Sequence, residues 1–328
     1  MRAAVYRRFG GPEVVALTEV PTPTAGPEEV LIRVIASTVS AADHRARSRD
    51  VPRGLGPPTA LALGVFRPRK RVLGMDVAGV VEAVGERVTR FSPGDEVIAM
   101  LGAKFGGHAE FARIQQDGAI TAKPVNLNFD EAVALVFGGL AAHGYLSRTG
   151  IGAGTRVLVN GASGAVGTAA VQLAKNLGAH VTAVCAARNT DLVTALGAAR
   201  VIDYATTDFT TEPDTYDVIM DCVGNAPFER AQHLIEPGGA LLLVISDLSG
   251  LLRAKSRSRK SGKLITAGGV DYRAVDLEFL AGLAESGRLR PVIDRSYALS
   301  DIVTAHRFVD AGHKRGNVVL RVTGSEPL

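Results

Sequence analysis

The stretch Val157–Asn176 constrains the fold of this chain more than any other part of the sequence. It begins with an apolar run at Val157–Val159, which is typical of a buried strand, and it continues into a turn with glycines at 161, 164 and 167. From Ala165 the apolar residues recur with helical spacing, and a second β-rich run follows at His180–Cys185. A strand, a glycine turn, a helix and a second strand within about thirty residues predict a βαβ unit.

The glycine turn is a candidate dinucleotide-binding turn. Reading from Ala162, its pattern is A-x-G-x-x-G, with alanine where the fingerprint usually has its first glycine. Small residues let the backbone approach a pyrophosphate, and the helix N-terminus presents N–H groups and the positive end of its dipole. Tight helix–sheet packing alone would explain only Gly167. We therefore predict that cofactor-binding residues include Ala162, Ser163, Gly164, Ala165, Val166 and Gly167.

The residues after the second strand indicate which cofactor is bound. Sites that prefer NAD place Asp or Glu there, whereas this chain has Ala187, Arg188 and Asn189. An arginine pairs with a 2′-phosphate that a carboxylate would repel. We therefore predict NADPH rather than NADH, with Tyr204 helping to line the adenosine end. An ordinary solvated Arg188 at the start of the next helix is the alternative.

Composition limits the class of protein. The chain has 328 residues, of which 46% are hydrophobic and 21% charged, so we expect a globular protein of two domains. Aromatic residues make up 5% and tryptophan is absent, which disfavours nucleic-acid binding by base stacking. Cys185 and Cys222 both fall in predicted buried strands, as reduced structural thiols would. We expect a cytoplasmic protein without a membrane partner, because no signal-peptide core or spanning apolar run is present.

The order of patterns along the chain predicts an α/β fold. Residues 1–122 have an all-β pattern, and the first long helical pattern is Asp130–Leu146. From Thr155 onward, strands and helices alternate as in a doubly wound parallel sheet, with Leu264–Ala267 as its sixth strand. The last two β-rich runs, Val292–Leu299 and Asn317–Val322, are expected to return to the first domain.

Two further segments are interpreted as loops. Residues 50–71 are rich in Pro, Gly and Arg, and a loop of that length suggests a cover for a substrate cleft. The basic run Lys255–Lys263 is interpreted as a solvated loop rather than a nucleic-acid patch, because no aromatic residues are interleaved with its cations.

Several motifs together resemble the medium-chain dehydrogenase/reductase superfamily, in its zinc-independent, quinone-oxidoreductase-like branch. They are Gly74–Val81, Pro93–Val97, Val159–Gly167 and Pro237–Gly239. The resemblance implies a GroES-like β-barrel domain at 1–122, completed by 290–328, and a Rossmann NADP-binding domain at 123–289. It also implies a cytosolic homodimer that reduces a small-molecule quinone or enone with NAD(P)H.

The resemblance adds residues to the expected cofactor site. By their positions in the family motifs, these are Gly139, Val223, Gly224, Asn225, Val270 and Asn317. Asn317 stands where relatives frequently have lysine, so any phosphate contact there is expected to be weak.

Departures from the zinc-dependent relatives concern the metal ligands. Their C-x-x-D string is Ser40-Ala41-Ala42-Asp43 here, and the histidine of their G-H-E string is replaced by Met75. No counterpart of the four-cysteine lobe of the structural zinc is present. Zinc requires thiolate or imidazole donors in tetrahedral array, so we predict a zinc-free protein.

A site without a metal ion favours particular acceptors. A quinone or an α,β-unsaturated carbonyl needs less help than a simple ketone, because the charge that follows hydride addition spreads onto a distant oxygen. The leading hypothesis is therefore an NADPH-dependent quinone or enone reductase. A metal-free alcohol dehydrogenase or ketone reductase is the first alternative, and an NADPH-sensing or RNA-binding protein with little turnover is the second.

Two side chains are candidates for catalysis. Ser40 has the place of a frequent asparagine near the nicotinamide in relatives, so its hydroxyl is a candidate hydrogen-bond donor to the substrate oxygen. The alternative, equally open, is that Ser40 caps a helix together with Asp43. His44 lies one turn further on and is a candidate proton relay, although an ordinary surface histidine is the favoured interpretation.

Overall fold

A computed structural model describes residues 1–322 of the chain and has the predicted α/β architecture. Its strands are β1 Arg2–Tyr6, β2 Val15–Glu19, β3 Glu29–Thr38, β4 Asp76–Val84, β5 Glu96–Met100, β6 Phe111–Gln115, β7 Ile120–Ala122, β8 Arg156–Asn160, β9 His180–Cys185, β10 Arg200–Asp203, β11 Tyr216–Asp221, β12 Ile235–Leu243, β13 Leu264–Ala267, β14 Ile293–Ala298 and β15 Asn317–Arg321. Its helices are α1 Ala41–Ser48, α2 Gly56–Leu63, α3 Phe129–Leu146, α4 Ala165–Asn176, α5 Thr190–Ala195, α6 Phe228–Ala231, α7 Leu248–Ser261, α8 Ala274–Glu285 and α9 Ile302–Asp310.

A six-stranded parallel sheet carries the glycine turn. Its strand order is β10-β9-β8-β11-β12-β13, which is the doubly wound order 3-2-1-4-5-6. The central strands are buried along most of their length, in keeping with the apolar runs that predicted them. The predicted βαβ unit is confirmed, since β8, α4 and β9 follow one another with the glycine turn between β8 and α4.

A seven-stranded sheet, mostly antiparallel, forms the other part of the molecule. Its order is β14-β15-β3-β4-β5-β7, with β6 paired to β3. β15 pairs antiparallel with β3, from Val319 opposite Thr38 to Arg321 opposite Ala36. The expectation that the last two strands return to the first domain is therefore confirmed. Its core includes Ile32, Val77 and Leu320 from neighbouring strands and Ile302 from α9.

The chain divides into two compact units whose boundaries differ from the expected domain limits. One unit comprises residues 1–51, 56–140 and the described residues from 272 onward, and the other comprises residues 52–55 and 141–271. Residues 123–140 and 272–289 therefore group with the β unit rather than with the parallel sheet. The reason is packing within that unit, where Asn317 Nδ2 donates to the Ala134 carbonyl at 2.9 Å and a Cβ on Gly139 would lie 3.1 Å from Leu280.

The two segments interpreted as loops are partly helical, and that interpretation was wrong for both. The basic run lies largely on α7, which begins after Asp247, whose side chain accepts from the Gly250 N–H at 2.7 Å. The helix ends at Ser261, and the residue after it, Gly262, has a φ of +67°. Within residues 50–71, Gly56–Leu63 forms α2. The cap at Asp247 and the stop at Gly262 were signals in the sequence, and the density of Arg, Lys and Ser obscured them.

The two cysteines occupy different environments. Cys185 is buried at the end of β9, whereas Cys222 follows β11 and is partly exposed, so the prediction of two buried strand cysteines holds only for Cys185. Both thiols are free. In the described part of the chain, no helix combines the length and apolar character that crossing a bilayer requires.

Candidate active site

Two glycines of the turn between β8 and α4 have different surroundings. A Cβ on Gly167 would lie 2.2 Å from the Gly161 carbonyl oxygen, so this position admits only glycine for close packing of helix and turn. A Cβ on Gly164 would meet only the Gly161 oxygen, at 3.5 Å, and otherwise open space. Gly164 therefore leaves room for a ligand to approach the backbone, which packing does not explain.

The N-terminus of α4 has no side-chain cap. Gly164 is the N-cap residue in an extended conformation, and the Thr168 N–H is bonded to the Gly164 carbonyl at 2.9 Å. The N–H groups of the preceding helical residues lack intrahelical acceptors, and Ser163, Gly164, Ala165 and Val166 are partly exposed. Such an end suits a phosphate group, because the unpaired donors and the positive end of the helix dipole point the same way.

Asn189 connects the turn after β9 to the glycine turn. Its Nδ2 donates to Ser163 Oγ at 3.0 Å, its side chain is buried, and its Oδ1 has no partner among the described residues. The neighbouring Ala187 and Arg188 are exposed, and no ion pair of Arg188 occurs in residues 1–322. The structure thus places an unpaired guanidinium on the turn that Asn189 joins to the glycine turn.

A carboxylate that the sequence reasoning missed shapes the loop after β11. Asp221 Oδ1 accepts from the Val223 and Gly224 N–H groups, both at 3.0 Å, and Oδ2 accepts from the Ala226 N–H at 2.9 Å. Asn160 at the end of β8 donates to Asp221 at 2.8 Å and to Asn225 Oδ1 at 2.6 Å. The available signal was the pair of polar residues that end two adjacent apolar strands.

The cofactor candidates of this unit lie after the carboxyl ends of parallel strands. The glycine turn follows β8, the Arg188 turn follows β9, Tyr204 follows β10, the Val223–Asn225 loop follows β11 and Val270 follows β13. β8 and β11 are adjacent at the point where the strand order reverses, which is where open parallel sheets bind ligands. A Cβ on Gly161 would lie 2.8 Å from Val223, so these two loops are in contact.

In the β unit, Ser40 is the N-cap residue of α1. Its hydroxyl donates to Asp43 Oδ2 at 2.6 Å and accepts from the Asp43 N–H at 3.3 Å, while its own N–H donates to Asp43 Oδ2 at 2.8 Å. The other Asp43 oxygen accepts from the Gly74 N–H at 2.8 Å. The helix-cap alternative for Ser40 is therefore confirmed. In this arrangement the hydroxyl proton that a substrate would need is bound to Asp43.

His44 belongs to a network of charged side chains. Its Nδ1 lies 2.7 Å from Asp310 Oδ1, and Nε2 lies 3.4 Å from Asp50. Fully buried Arg47 donates to both oxygens of Asp310, at 2.7 and 2.6 Å. Asp310 thus ties α1 to the end of α9, and the half-buried His44 is more constrained than the surface residue that the sequence favoured.

Asp76 is a second fully buried carboxyl group of the β unit, besides Asp43. Both of its oxygens accept from Thr38, which donates its backbone N–H and its hydroxyl at 2.8–2.9 Å. Burial raises the pKa of Asp76 to about 7, while the hydrogen bonds from Thr38 oppose that rise. The same carboxyl group raises the pKa of Tyr272, for which burial is the larger cause.

The remaining two candidates have structural partners. Gly139 lies within α3, where its missing side chain makes room for Leu280. Asn317 is buried, and its Nδ2 donates to the Ala134 carbonyl and, at 3.1 Å, to the Val292 carbonyl. The Asn317 amide is therefore held by the backbone of its own unit.

The residues present do not fit zinc at the positions of the zinc-dependent relatives. Ser40 offers a hydroxyl already bonded to Asp43, and Met75 offers a thioether in place of an imidazole. Among residues 1–322 no group of three or more His, Cys, Asp or Glu side chains has the arrangement of a metal site.

Family models match two parts of the chain. The Alcohol dehydrogenase GroES-like domain matches residues 26–125, and the Zinc-binding dehydrogenase model matches residues 196–320. A chloroplastic quinone-oxidoreductase of Triphysaria versicolor is 32% identical, with 98% of each chain covered. The chain belongs to the medium-chain dehydrogenase/reductase superfamily. Within it, the chain falls in the quinone-oxidoreductase-like branch and is an oxidoreductase with a nicotinamide cofactor.

Other members of the superfamily extend this comparison. A chloroplastic NADPH-dependent alkenal/one oxidoreductase of Arabidopsis thaliana is 30% identical, over 98% of this chain and 79% of that protein. The solved quinone oxidoreductase from Coxiella burnetii superposes with a TM-score of 0.88 at 28% identity, covering 98% and 99% of the two chains. A solved NAD-dependent alcohol dehydrogenase gives 0.83 at 29% identity, covering 98% and 100%.

Proposed function

We propose that this superfamily member is a zinc-free, NADPH-dependent reductase of quinones or α,β-unsaturated carbonyl compounds. One observation carries the proposal: the N-terminus of α4 is uncapped, and its N-cap Gly164 faces open space. The names of the relatives support the substrate class, since they include a quinone-oxidoreductase and an alkenal/one oxidoreductase.

The chain's own residues would bind and orient the cofactor. The first-turn N–H groups of α4 would bind the pyrophosphate, and Arg188 would pair with a 2′-phosphate. Asp221 and Asn160 hold the Val223–Asn225 loop in one conformation beside the glycine turn, which favours a single cofactor orientation. When bound, a reduced nicotinamide supplies the hydride that adds to the acceptor.

The donor set of the β unit favours acceptors that delocalise charge. The hydroxyl groups of Ser40 and Thr38 donate hydrogen bonds to Asp43 and Asp76. Neither hydroxyl is therefore free to donate to a developing alkoxide. An enone or a quinone spreads that charge over conjugated atoms and depends less on one positioned acid. This argument favours such acceptors over simple ketones.

Arg188→Glu tests the choice of cofactor. We expect the KM for NADPH to rise about tenfold or more, because the substitution removes one charge-assisted pair and adds a like charge. The KM for NADH should change less than threefold, by our rough estimate. Arg259→Glu on α7 is a matched control that makes the same charge change elsewhere. Equal effects of Arg188→Glu on both cofactors would contradict a 2′-phosphate contact.

A substrate panel tests the reaction. Oxidation of NADPH is followed with quinones, enones and saturated ketones at matched concentrations. We expect turnover of the first two classes. Turnover of saturated ketones alone would favour the alternative of a ketone reductase. The similarity to a solved alcohol dehydrogenase is the observation that supports this alternative. The homodimer and the cytoplasmic location remain predictions, which gel filtration and cell fractionation would test.

A further inference from the structure

The segment of residues 56–71, here called the tip segment, exposes large apolar side chains. Leu61 is 68% exposed, Val65 52% and Phe66 90%. α2, which opens the segment, has no fully buried residue, and of its side chains only Leu63 packs on the core of the β unit. Three such side chains on one short segment are typical of an interaction surface rather than of scattered surface residues.

The end of the tip segment is held in one conformation. Arg49 donates to the Gly64 carbonyl and, at 2.5 Å, to the Val65 carbonyl, and its guanidinium stacks 3.6 Å above the ring of Phe9. Backbone bonds from Gly64 to Ala60 at 2.9 Å and from Arg69 to Leu63 at 2.8 Å close the turn. Val65 and Phe66 are therefore presented to solvent by a fixed turn.

Four cations follow the apolar residues directly. Arg67, Arg69, Lys70 and Arg71 are all exposed, and none of their side chains has an ion-pair partner within residues 1–322. No Asp or Glu occurs anywhere from residue 51 to residue 75. The surface beside Phe66 is thus positive and uncompensated.

We propose that the tip segment docks this protein on the surface of an anionic lipid bilayer. Phe66 and Val65 would enter the interface between headgroups and acyl chains, and the four cations would lie at the level of the lipid phosphates. This surface contact needs no spanning helix. It replaces the expectation of no membrane partner, which rested on the absence of a signal peptide and of a spanning run.

The charge of the tip segment argues against a second copy of the chain as the occupant. A two-fold contact through this face would bring its four cations against the same four cations of the other copy, which costs free energy. An anionic bilayer complements both the charge and the protruding apolar side chains. The inference does not depend on the substrate, so it can fail while the proposed reaction stands.

Vesicle flotation tests the proposal with the full chain. Vesicles of phosphatidylcholine alone are compared with vesicles in which about one-third of the lipid is phosphatidylglycerol. We expect binding to the anionic vesicles at least about tenfold stronger, and a marked loss of it when the salt concentration is raised to about 0.5 M. Equal or absent binding to both vesicles would overturn the proposal.

Matched variants locate the contact. Phe66→Ser should weaken binding roughly tenfold, through lost apolar burial, and Arg69→Glu with Lys70→Glu by more, since each cation contributes about fivefold. Val125→Ser, at an apolar position that is 88% exposed, and Arg259→Glu with Lys260→Glu on α7 are the controls. Equal losses in the controls would show that overall positive charge drives binding, and would overturn the proposal.

The absence of tryptophan from the chain provides a direct probe. In the Phe66→Trp variant, the fluorescence emission of the introduced tryptophan should shift to shorter wavelength when anionic vesicles are added. Brominated lipids should quench this emission. Val125→Trp should show neither change. Vesicle binding without a shift at position 66 would assign the contact to another face. A shift that depends on protein concentration without lipid would indicate self-association; either result overturns the proposal.

Discussion

The chain twice passes from a strand into a helix through a tight turn, and the two helices differ in how their N-termini are capped. After β8, the helix α4 starts at Gly164, which has no side chain to cap it. After β3, the helix α1 starts at Ser40, which shares a complete capping box with Asp43. The first helix end has no side-chain acceptor for its first-turn donors, whereas in the second the Asp43 N–H donates to the Ser40 hydroxyl and the Ser40 N–H donates to Asp43. The N-cap residue thus distinguishes the helix end that we propose for cofactor binding from one that is capped by its own side chains.

The difference extends to the residues around each turn. Near Gly164, the buried Asn189 has an oxygen without a partner, and Arg188 has no counter-ion in the described part of the chain. Near Ser40, Asp43 accepts from Gly74, and Asp76 accepts from Thr38. Next to the glycine turn, the Asn189 oxygen and the Arg188 guanidinium are unpaired, whereas the buried carboxyl groups of Asp43 and Asp76 are hydrogen-bonded within their own unit.

Gly167→Ala should have the largest effect. Its Cβ would lie 2.2 Å from the Gly161 carbonyl and 2.7 Å from the Ala162 Cα, and both are backbone atoms that cannot move aside cheaply. We expect the free energy of unfolding to fall by about 3 kcal/mol, measured by urea denaturation. Gly164→Ala is the control, with its nearest atom at 3.5 Å, and should leave stability nearly unchanged. Equal stability of the two variants would contradict the conclusion that Gly167 is required for packing and Gly164 is not.

Gly164→Val should separate binding from folding. The extended backbone at Gly164 accepts a β-branched residue, and the added methyl groups would fill the space next to the unpaired donors of α4. We expect affinity for NADPH and for NADH to fall about a hundredfold, equivalent to about 2.7 kcal/mol, by titration calorimetry. The midpoint of thermal unfolding should stay within a few degrees of the parent value. Retained affinity would show that the phosphate binds elsewhere.

Asp76→Asn tests the buried carboxyl group that accepts from Thr38, through the pH dependence of the free energy of unfolding. Because burial raises the pKa of Asp76 to about 7, the folded protein keeps this proton at pH values where the unfolded chain has lost it. Its contribution to stability is full below the unfolded pKa and declines as the pH rises through about 7.

An amide at position 76 does not ionise, so the variant should lack that decline. At about pH 8 it should be the more stable protein, by at least about 2 kcal/mol in urea unfolding, and the advantage should vanish at about pH 4. Asp95→Asn, at an exposed carboxylate, is the control. A parent protein whose stability is flat between these pH values would contradict the raised pKa.

Ser40→Ala should have the smallest effect. Loss of the cap should lower the free energy of unfolding by about 1 kcal/mol, and kcat should change by less than about threefold. Chemical denaturation and steady-state kinetics measure the two quantities. If kcat fell about a hundredfold while stability held, Ser40 would be a donor to the substrate and the two turns would not differ as we describe.

Local patterns were sufficient where a feature depends on neighbours in the sequence. The spacing around Val157–Asn176 predicted β8, α4 and β9, and the Ser40–Asp43 pair predicted the cap of α1, because these hydrogen bonds and apolar faces lie within a few residues. The same reasoning misread α7, whose buried face is narrow and whose cationic residues resemble a loop. The exposed apolar end of the tip segment was also not visible from composition.

The sequence by itself determined the alternation of strands and helices, the glycine turn and the absence of zinc donors at positions 40 and 75. Only the tertiary structure decided which polar groups are satisfied. Asp76 on β4 accepts hydrogen bonds from Thr38 on β3, and Arg47 on α1 donates to Asp310 on the distant helix α9. Asn189 finds Ser163, which lies 26 residues away. Hydrogen bonding and burial depend on distance in space, and a sequence fixes distance only for near neighbours.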